Sequence, residues 1–216
     1  EYIRAKKQIF KNQTVHDFAV LNAADPIVAS LAPLLTSQVI WFNTEDQMSV
    51  TGYDNPNFLA VSAVATAFQI DPACCRKVFE NFQGIEHRFE TVREKEGVLF
   101  INDSKATTVE SGRWALTRLS QPVVWICGGR DKLLDFTPLR DIAGQKVKKI
   151  IAIGEAALKV RGVFSDVVPV ECFTDFRQAV HAAAKCATDG DVVLLSPMCA
   201  SFDMFENFEH RGREFK

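Results

Sequence analysis

The feature that most constrains the fold is a regular alternation of short apolar runs and helical stretches in the second half of the chain. The runs, rich in Val and Ile, cover residues 98–102, 122–127, 147–153, 167–172 and 191–195. Helical patterns at about 105–119, 135–142, 155–161, 174–188 and 203–213 separate or follow them. This alternation is typical of an α/β fold with a mostly parallel sheet that helices cover on both faces.

Residues 1–84 have a less regular pattern and are predicted to form a separate domain from residues 85–216, with the boundary near Gly84. The amphipathic stretch from Tyr2 to Phe10 indicates a helix, and residues 15–22 and 38–42 indicate strands. Further helices are predicted to start at the three Asx-Pro pairs Asp25-Pro26, Asn55-Pro56 and Asp71-Pro72, because Asp and Asn cap helices and Pro suits the first helical position.

Composition excludes several classes of function. The 25 Lys and Arg residues nearly balance 27 Asp and Glu, which gives no reason to propose a nucleic-acid binder. No apolar run approaches the roughly 20 residues that span a bilayer, and the first residues lack the apolar core of a secretion signal. The six cysteines form no CxxC pair and share no metal-ligand spacing with the four histidines. We therefore expect a cytoplasmic protein with reduced, mostly buried thiols and no structural zinc.

Chemistry-bearing residues collect where the predicted strands end. Asn102-Asp103-Ser104-Lys105, Gly128-Gly129 with Lys132, Gly154-Glu155 and Ser196-Pro197 each follow an apolar run. Ligands of open α/β sheets bind at the carboxyl ends of strands, so these clusters predict a site there. Asp103 has the chemistry to accept hydrogen bonds from ribose, and Lys105 to neutralise a phosphate or carboxylate.

Each cluster also has a purely structural interpretation. Asp103 or Ser104 has the chemistry to cap the next helix, and Gly128-Gly129 to form an ordinary strand–helix turn. Arg88, which suits nucleotide phosphate, is more often paired on a surface with a carboxylate such as Glu86 or Glu90. Cys199 has no base partner in the sequence, which argues against a thiol nucleophile.

Taken together, the motifs resemble those of the Mur ligases, in particular the members that add D-glutamate. The resemblance covers nearly the whole chain, and two strings are its most specific parts: Asn-Asp-Ser-Lys-Ala-Thr from Asn102, and Ser-Pro-x-x-Ala-Ser-x-Asp-x-Phe-x-x-Phe-x-x-Arg-Gly from Ser196. It implies that residues 1–84 are the later part of a central ATPase domain. It also implies that residues 85–216 are a Rossmann-like domain that binds the incoming amino acid.

The resemblance further implies an ADP-forming ligation of D-glutamate to UDP-N-acetylmuramoyl-L-alanine through an acyl phosphate, with ATP and Mg²⁺, by a monomer. It implies that Lys6 and Lys105 are catalytic and that the nucleotide is bound by Asn55, Arg88 and Asp103. The residues that it assigns to D-glutamate binding are Thr107, Lys132, Ser201 and Phe208. Lys6 matches a position that is carbamylated in the family, and a carbamate offers oxygen ligands to Mg²⁺.

The chain also departs from the family pattern. In the adenine-side motif, Asp54 replaces a His and Phe58 replaces an Asn, whereas Asn55 matches; Arg130-Asp131 replaces an Asp-Gly pair before Lys132. No GxxxxGK[ST] phosphate loop occurs in the sequence, and the chain begins without Met, so we expect a fragment that is inactive alone.

Two other functions stay open on the sequence alone. One is a related ligase for another amino acid, either another Mur ligase or a folylpolyglutamate synthase. The other is a non-catalytic fragment that binds ligands without turnover.

Overall fold

The computed structural model describes residues 2–52 and 55–216, which fall into two compact units, one ending at Gln83 and the other spanning Gly84–Lys216. The domain boundary predicted from the sequence, after Gly84, lies one residue from this division. None of the helices in the two described stretches combines the length and the apolar character that a bilayer crossing demands.

The first unit contains a parallel pair of strands with short helices beside it. Its elements are α1 (Tyr2–Lys7), a 3-10 turn (Gln8–Phe10), β1 (Phe18–Asn22), α2 (Pro26–Ala29), a 3-10 turn (Ala32–Leu34), β2 (Gln38–Phe42), α3 (Glu45–Thr51), α4 (Pro56–Ala67) and α5 (Pro72–Asn81). Asp25, Asn55 and Asp71 each accept backbone N–H hydrogen bonds at the start of a helix. The three helix starts predicted from the Asx-Pro pairs are confirmed.

Two predictions for this unit need correction. Strand β1 begins at Phe18 and not at Val15, because Asp17 folds back to accept a hydrogen bond from the Thr14 amide at 2.6 Å and closes a turn. Helix α3 was not predicted at all. Its first turn is capped by the Thr44 side chain, and it ends at Thr51, after which Gly52 caps the helix in the left-handed conformation with a φ of 71°.

The second unit is a six-stranded sheet of order β3-β4-β8-β5-β6-β7 in which only β3 is antiparallel to its neighbour. The predicted α/β fold with a mostly parallel sheet is confirmed. Its elements are β3 (Glu90–Lys95), β4 (Val98–Asn102), α6 (Val109–Arg118), β5 (Val123–Gly128), a 3-10 turn (Thr137–Leu139), α7 (Arg140–Lys146), β6 (Val147–Ile153), α8 (Ala157–Phe164), β7 (Val170–Phe173), α9 (Phe176–Cys186), β8 (Val192–Met198) and α10 (Phe208–Phe215).

Helices cover both faces of this sheet. The core on one face includes side chains of α6, α7 and α8, and the core on the other includes side chains of α9 and α10. The central strands β5 and β8 are buried along their whole length, as expected for the apolar runs that form most of each strand. The buried Trp125 indole donates to the Ser196 carbonyl oxygen at 2.9 Å, which satisfies its polar atom inside the core.

Several boundaries in this unit differ from the sequence prediction. Strand β8 continues to Met198, so Ser196 and Pro197 lie inside the strand and not after it. Helix α6 begins at Val109 with Thr108 as its cap, so neither Asp103 nor Ser104 caps it. The predicted helices at 135–142 and 203–213 in fact begin at Arg140, after a 3-10 turn, and at Phe208.

Strand β3 was missed because its sequence, Glu-Thr-Val-Arg-Glu-Lys, has one strongly apolar residue. Its exposed edge position removes the apolar pattern that marks a buried strand. The signal that identifies it is the turn: Glu96 and Gly97 both have positive φ, 54° and 73°, as a type I′ hairpin requires.

All six cysteines are free thiols, and the expectation that they are mostly buried is wrong. Only Cys127 and Cys199 are buried; Cys74 is exposed and the other three are half-buried. Burial raises the pKa of the Cys199 thiol to about 12, which keeps it protonated at neutral pH and agrees with the argument against a thiol nucleophile.

Candidate functional site

The candidate site lies at the carboxyl edge of the parallel strands in the second unit. Strand β8 runs between β4 and β5, so the loops that follow β4 and β5 flank the end of β8. The chain leaves β4 and β5 toward α6 and α7 on one face of the sheet, but it leaves β8 toward α10 on the other face. Such a switch point opens a crevice at the strand ends, where α/β proteins bind ligands.

Backbone hydrogen bonds join the ends of β5, β6 and β8. The Gly129 amide donates to the Ile153 carbonyl oxygen, and the Arg130 amide donates to the Ala200 carbonyl oxygen, both at 2.9 Å. Gly129 has a φ of 130°, and a Cβ atom there would lie 2.4 Å from the Ala200 oxygen. Only glycine fits, so Gly128-Gly129 brings the loop after β5 into contact with the segment after β8.

Asp103 is the most perturbed carboxylate of the site. It is only 6% exposed; its two oxygens accept from the Phe89 amide and the Ser196 hydroxyl, each at 3.1 Å. Burial raises the Asp103 pKa from 3.8 to about 6, against the opposing effects of these two hydrogen bonds and of the Arg88 charge. A carboxylate held this way has acceptor capacity for a ligand hydroxyl but titrates near neutral pH.

Lys105 and Phe208, which the resemblance assigned to different roles, lie in contact. The Lys105 ammonium is 3.7 Å from the centroid of the Phe208 ring, a cation–π contact that holds the charged end of the lysine at the start of α10. The Ser104 hydroxyl donates to the Phe208 carbonyl oxygen at 2.8 Å and fixes the same two segments through the backbone.

The other predicted D-glutamate residues lie on neighbouring loops of the same edge. Lys132 is exposed in the loop after β5, which the Arg130 amide joins to the Ala200 carbonyl oxygen in the segment after β8. Ser201 is buried, and its carbonyl oxygen accepts from the Phe205 amide at 2.8 Å. Thr107 is half-buried, one residue before the cap of α6.

Arg88 is exposed beside Asp103, and the carboxylates proposed as its surface partners are used elsewhere. Glu86 and Glu90 both accept hydrogen bonds from the Lys216 ammonium. Among the described residues the ion pairs of Glu86 and Glu90 are with His87 and Lys216, so the structure does not show the surface pairing of Arg88 that was the alternative.

Lys6 and Asn55 belong to the first unit. The Lys6 side chain is exposed on α1, with its ammonium 5.4 Å from the centroid of the Tyr2 ring. The Asn55 oxygen accepts from the Asn57 amide at 2.9 Å and caps α4. Phe58 stacks on Phe79 with ring centroids 4.3 Å apart, which explains an aromatic residue at this position, whereas Asp54 lies outside the described residues.

Sequence reasoning assigned no role to three side chains that organise the edge. Arg211 is buried and bonded to the segments after β4 and β8; Ser196 donates to Asp103; and an Asp203 oxygen accepts from the Glu155 amide at 3.0 Å. All three are part of the motif string from Ser196, but a string does not show which member turns inward. Across the two described stretches, no group of three or more His, Cys, Asp or Glu side chains is arranged to hold a metal ion.

Comparison with known proteins agrees with this geometry. Residues 87–199 match the family model described as "Mur ligase, glutamate ligase domain", which covers the β4, β5 and β8 edge. The chain belongs to the Mur ligase family. The UDP-N-acetylmuramoylalanine–D-glutamate ligase of Clostridioides difficile (strain 630) is 36% identical over the whole of this chain. The chain spans about half the length of the curated relatives that it matches, 54% in that case.

Solved structures extend the Mur ligase likeness to the fold of the whole chain. MurF from Acinetobacter baumannii matches 99% of the chain with a TM-score of 0.72 and 17% identity; the chain covers 54% of that protein. The bifunctional folylpolyglutamate synthase/dihydrofolate synthase of Yersinia pestis, solved with AMPPNP and a Mn ion, matches 98% with a TM-score of 0.67 and 20% identity, over 54% of its length. At these identities the likeness shows the shared fold alone.

Proposed function

We propose that the complete Mur ligase containing this chain joins D-glutamate to UDP-N-acetylmuramoyl-L-alanine in peptidoglycan precursor synthesis, with conversion of ATP to ADP. Residues 1–84 would then contribute part of the central ATPase domain and residues 85–216 the amino-acid-binding domain. Three components belong to the same proposal: Mg²⁺ as the ion carried with ATP, a cytoplasmic location and a monomeric state.

The observation that carries the proposal is the arrangement around β8. On one side Ser196 donates to Asp103; on the other, Ala200 bonds to the loop that bears Lys132. Residues assigned to the nucleotide and residues assigned to the amino acid therefore share one sheet edge. The names of the relatives that are similar over the whole chain support D-glutamate as the amino acid.

Within the second unit, the nucleotide side of the proposed site consists of Asp103 and Arg88. Asn55, in the first unit, keeps the nucleotide-binding role that the resemblance implies. The Asp103 carboxylate has acceptor capacity for ribose hydroxyls, and the exposed Arg88 guanidinium suits a phosphate, which it can bind through two parallel hydrogen bonds. With a pKa of about 6, Asp103 is mostly ionised at pH 7, and hydrogen-bond donors of a ligand would stabilise that form further.

The amino-acid side consists of Thr107, Lys132, Ser201 and Phe208. Lys132 supplies a charge for one D-glutamate carboxylate, and the Thr107 and Ser201 hydroxyls donate hydrogen bonds. Phe208 shields the site and holds Lys105 in its cation–π contact.

The proposed chemistry proceeds in two steps. A carboxylate oxygen of UDP-N-acetylmuramoyl-L-alanine attacks the γ-phosphorus of ATP, which gives an acyl phosphate and ADP. The D-glutamate amine then attacks the acyl carbon, loses a proton, and expels inorganic phosphate as the amide forms. These steps need charge neutralisation and orientation more than a covalent nucleophile, and Lys105 supplies a cation held in place by Phe208.

Lys6 is proposed to act from the first unit as a carbamate. The described residues lack a carboxylate cluster that would hold Mg²⁺ by itself, so we derive no step through the ion. The chain's own contribution is an exposed Lys6 amine, whose reaction with CO₂ would create two oxygen ligands.

The experiment that tests this function measures phosphate release by the full-length protein with ATP, Mg²⁺ and UDP-N-acetylmuramoyl-L-alanine, across a panel of amino acids. We expect release with D-glutamate and not with L-glutamate or L-alanine. Release with another amino acid, or with L-glutamate and a folate acceptor, would favour the related-ligase alternative. Ligand binding without release in the full-length protein would favour a non-catalytic role.

A further inference from the structure

We infer that Arg211 is a positioning residue that fixes the loop after β4 against the segment after β8, so that the two halves of the proposed site are held in register. Its side chain is 1% exposed. Nε donates to the Ser104 hydroxyl at 3.0 Å and Nη2 to the Ser104 carbonyl oxygen at 2.8 Å. Nη1 and Nη2 each donate to the Cys199 carbonyl oxygen at 3.2 Å.

The acceptors of this buried cation are all uncharged. Burial lowers the Arg211 pKa to about 10; the Cys199 thiol and the Asp203 carboxylate oppose that effect, but neither of these side chains accepts a hydrogen bond from the guanidinium. A buried charge with neutral partners is costly, and an apolar side chain of similar volume would fill the same space at lower cost. Packing alone therefore does not explain an arginine here, whereas the need to join two backbone segments does.

The two segments that Arg211 joins are the ones that carry the proposed ligand contacts. Ser104 lies between Asp103 and Lys105, and Cys199 lies two residues before Ser201. The Ser104 hydroxyl accepts from Arg211 and donates to the Phe208 carbonyl oxygen, so the start of α10 joins the same network. A planar guanidinium spans these acceptors from several nitrogens, whereas a lysine ammonium is a single point donor.

The identity of the ligands in this inference rests on the proposed function. The kinetic test introduces Arg211→Lys into the full-length protein. We expect the KM for ATP and the KM for D-glutamate to rise together, each by about tenfold, although Arg211 contacts neither ligand in this assignment. Arg118→Lys is the matched control, because Arg118 is an exposed arginine on α6 that stacks on Trp114. We expect that variant to keep both wild-type KM values.

A merely structural role gives a different result. If Arg211→Lys lowers only the amount of folded enzyme, kcat falls while both KM values stay unchanged, and that outcome overturns the positioning role. Ser104→Ala provides a milder variant, because it removes one acceptor and leaves the arginine and both backbone acceptors. We expect it to shift both KM values in the same direction by a smaller factor; a shift in neither KM counts against the inference.

A second readout separates this inference from the proposed function. Amide hydrogen exchange on the 216-residue chain reports on two amides of these segments. The Ala106 amide donates to the Asp103 carbonyl oxygen, and the Phe205 amide donates to the Ser201 carbonyl oxygen. In Arg211→Lys we expect both amides to exchange at least tenfold faster, with Val160 in α8 unchanged. Unchanged exchange at Ala106 and Phe205 refutes the positioning role. Faster exchange at both, in a protein that turns over neither ATP nor D-glutamate, supports it and refutes only the proposed function.

Discussion

Replacing Asp103 by Asn should remove a pH-dependent loss of stability that the buried carboxylate imposes on the second unit. Burial is the largest cause of its raised pKa, and the Ser196 hydroxyl and the Phe89 amide only partly offset it. Asn at this position keeps an oxygen acceptor for the Phe89 amide and offers an N–H donor to Ser196. The variant therefore resembles the protonated form of Asp103 at every pH.

The sign follows from the direction of the shift. Because the pKa is raised from 3.8 to about 6, the folded state binds the proton more tightly than the unfolded state does in that window. The wild-type free energy of unfolding thus falls as pH rises through 6. The stabilising contribution of protonated Asp103 is fully present only below about pH 3.8. At roughly 1.36 kcal/mol per pKa unit, the shift corresponds to about 3 kcal/mol between the two limits.

The assay is urea unfolding of the second unit at pH 4.5 to 7.5, followed by Trp114 and Trp125 fluorescence in a Trp41→Phe background. We expect the advantage of Asp103→Asn over wild type to grow from about 1 kcal/mol at pH 4.5 to about 3 kcal/mol at pH 7.5, and comparison of the two proteins cancels the other carboxylates. A ¹³C titration of the Asp103 carboxyl should have its midpoint near 6, and Ser196→Ala should raise that midpoint. A midpoint near 4 with a stability difference that is independent of pH would refute the reasoning.

Three further predictions address packing and the proposed ligand sites. Gly212→Ala should lower the free energy of unfolding, measured in urea, by about 1–3 kcal/mol, because the new Cβ would lie 2.2 Å from His87 Nδ1. Gly162→Ala in α8 is the control: no atom lies near its Cβ position, and the free energy of unfolding should rise by about 0.5–1 kcal/mol. Arg88→Ala in the full-length protein should raise the KM for ATP, measured by phosphate release, and leave the KM for D-glutamate unchanged. Lys6→Ala should nearly abolish turnover, and short carboxylic acids should restore part of it. It should also remove the ¹³C NMR carbamate signal that labelled bicarbonate gives with the full-length protein; a fully active variant would exclude the carbamate.

The sheet could be predicted from the sequence because burial on both faces leaves uninterrupted apolar runs. Residues 98–102 and 147–153 were predicted with the bounds that the structure gives to β4 and β6. Strand β3 could not be found this way, because at the sheet edge its residues are mostly polar. Helix α3 lacks an apolar stripe; its signal is the cap at Thr44 with Gln47 three residues later.

The location of the site could also be predicted, but its internal connections could not. Clusters of polar residues after the strands indicate which edge of the sheet holds the site, since the carboxyl ends of parallel strands lie at the same edge. Sequence spacing does not show that Lys105 would lie on the Phe208 ring, more than 100 positions away, or that the buried Arg211 would join Ser104 to Cys199. These contacts depend on β8 entering the sheet between β4 and β5, a tertiary arrangement that local pattern does not encode.

The most direct test of the proposed D-glutamate site is the KM for D-glutamate of Lys132→Ala and Ser201→Ala in the full-length protein, measured beside the KM for ATP. Loss of a charged contact at Lys132 costs about 1.5–3 kcal/mol, which raises KM about 10- to 140-fold. Loss of a neutral contact at Ser201 costs about 0.5–1.5 kcal/mol, which raises KM about 2- to 12-fold. We expect these increases for D-glutamate with the KM for ATP unchanged. Wild-type D-glutamate kinetics in both variants would contradict the assignment of the amino-acid site to this edge of the sheet.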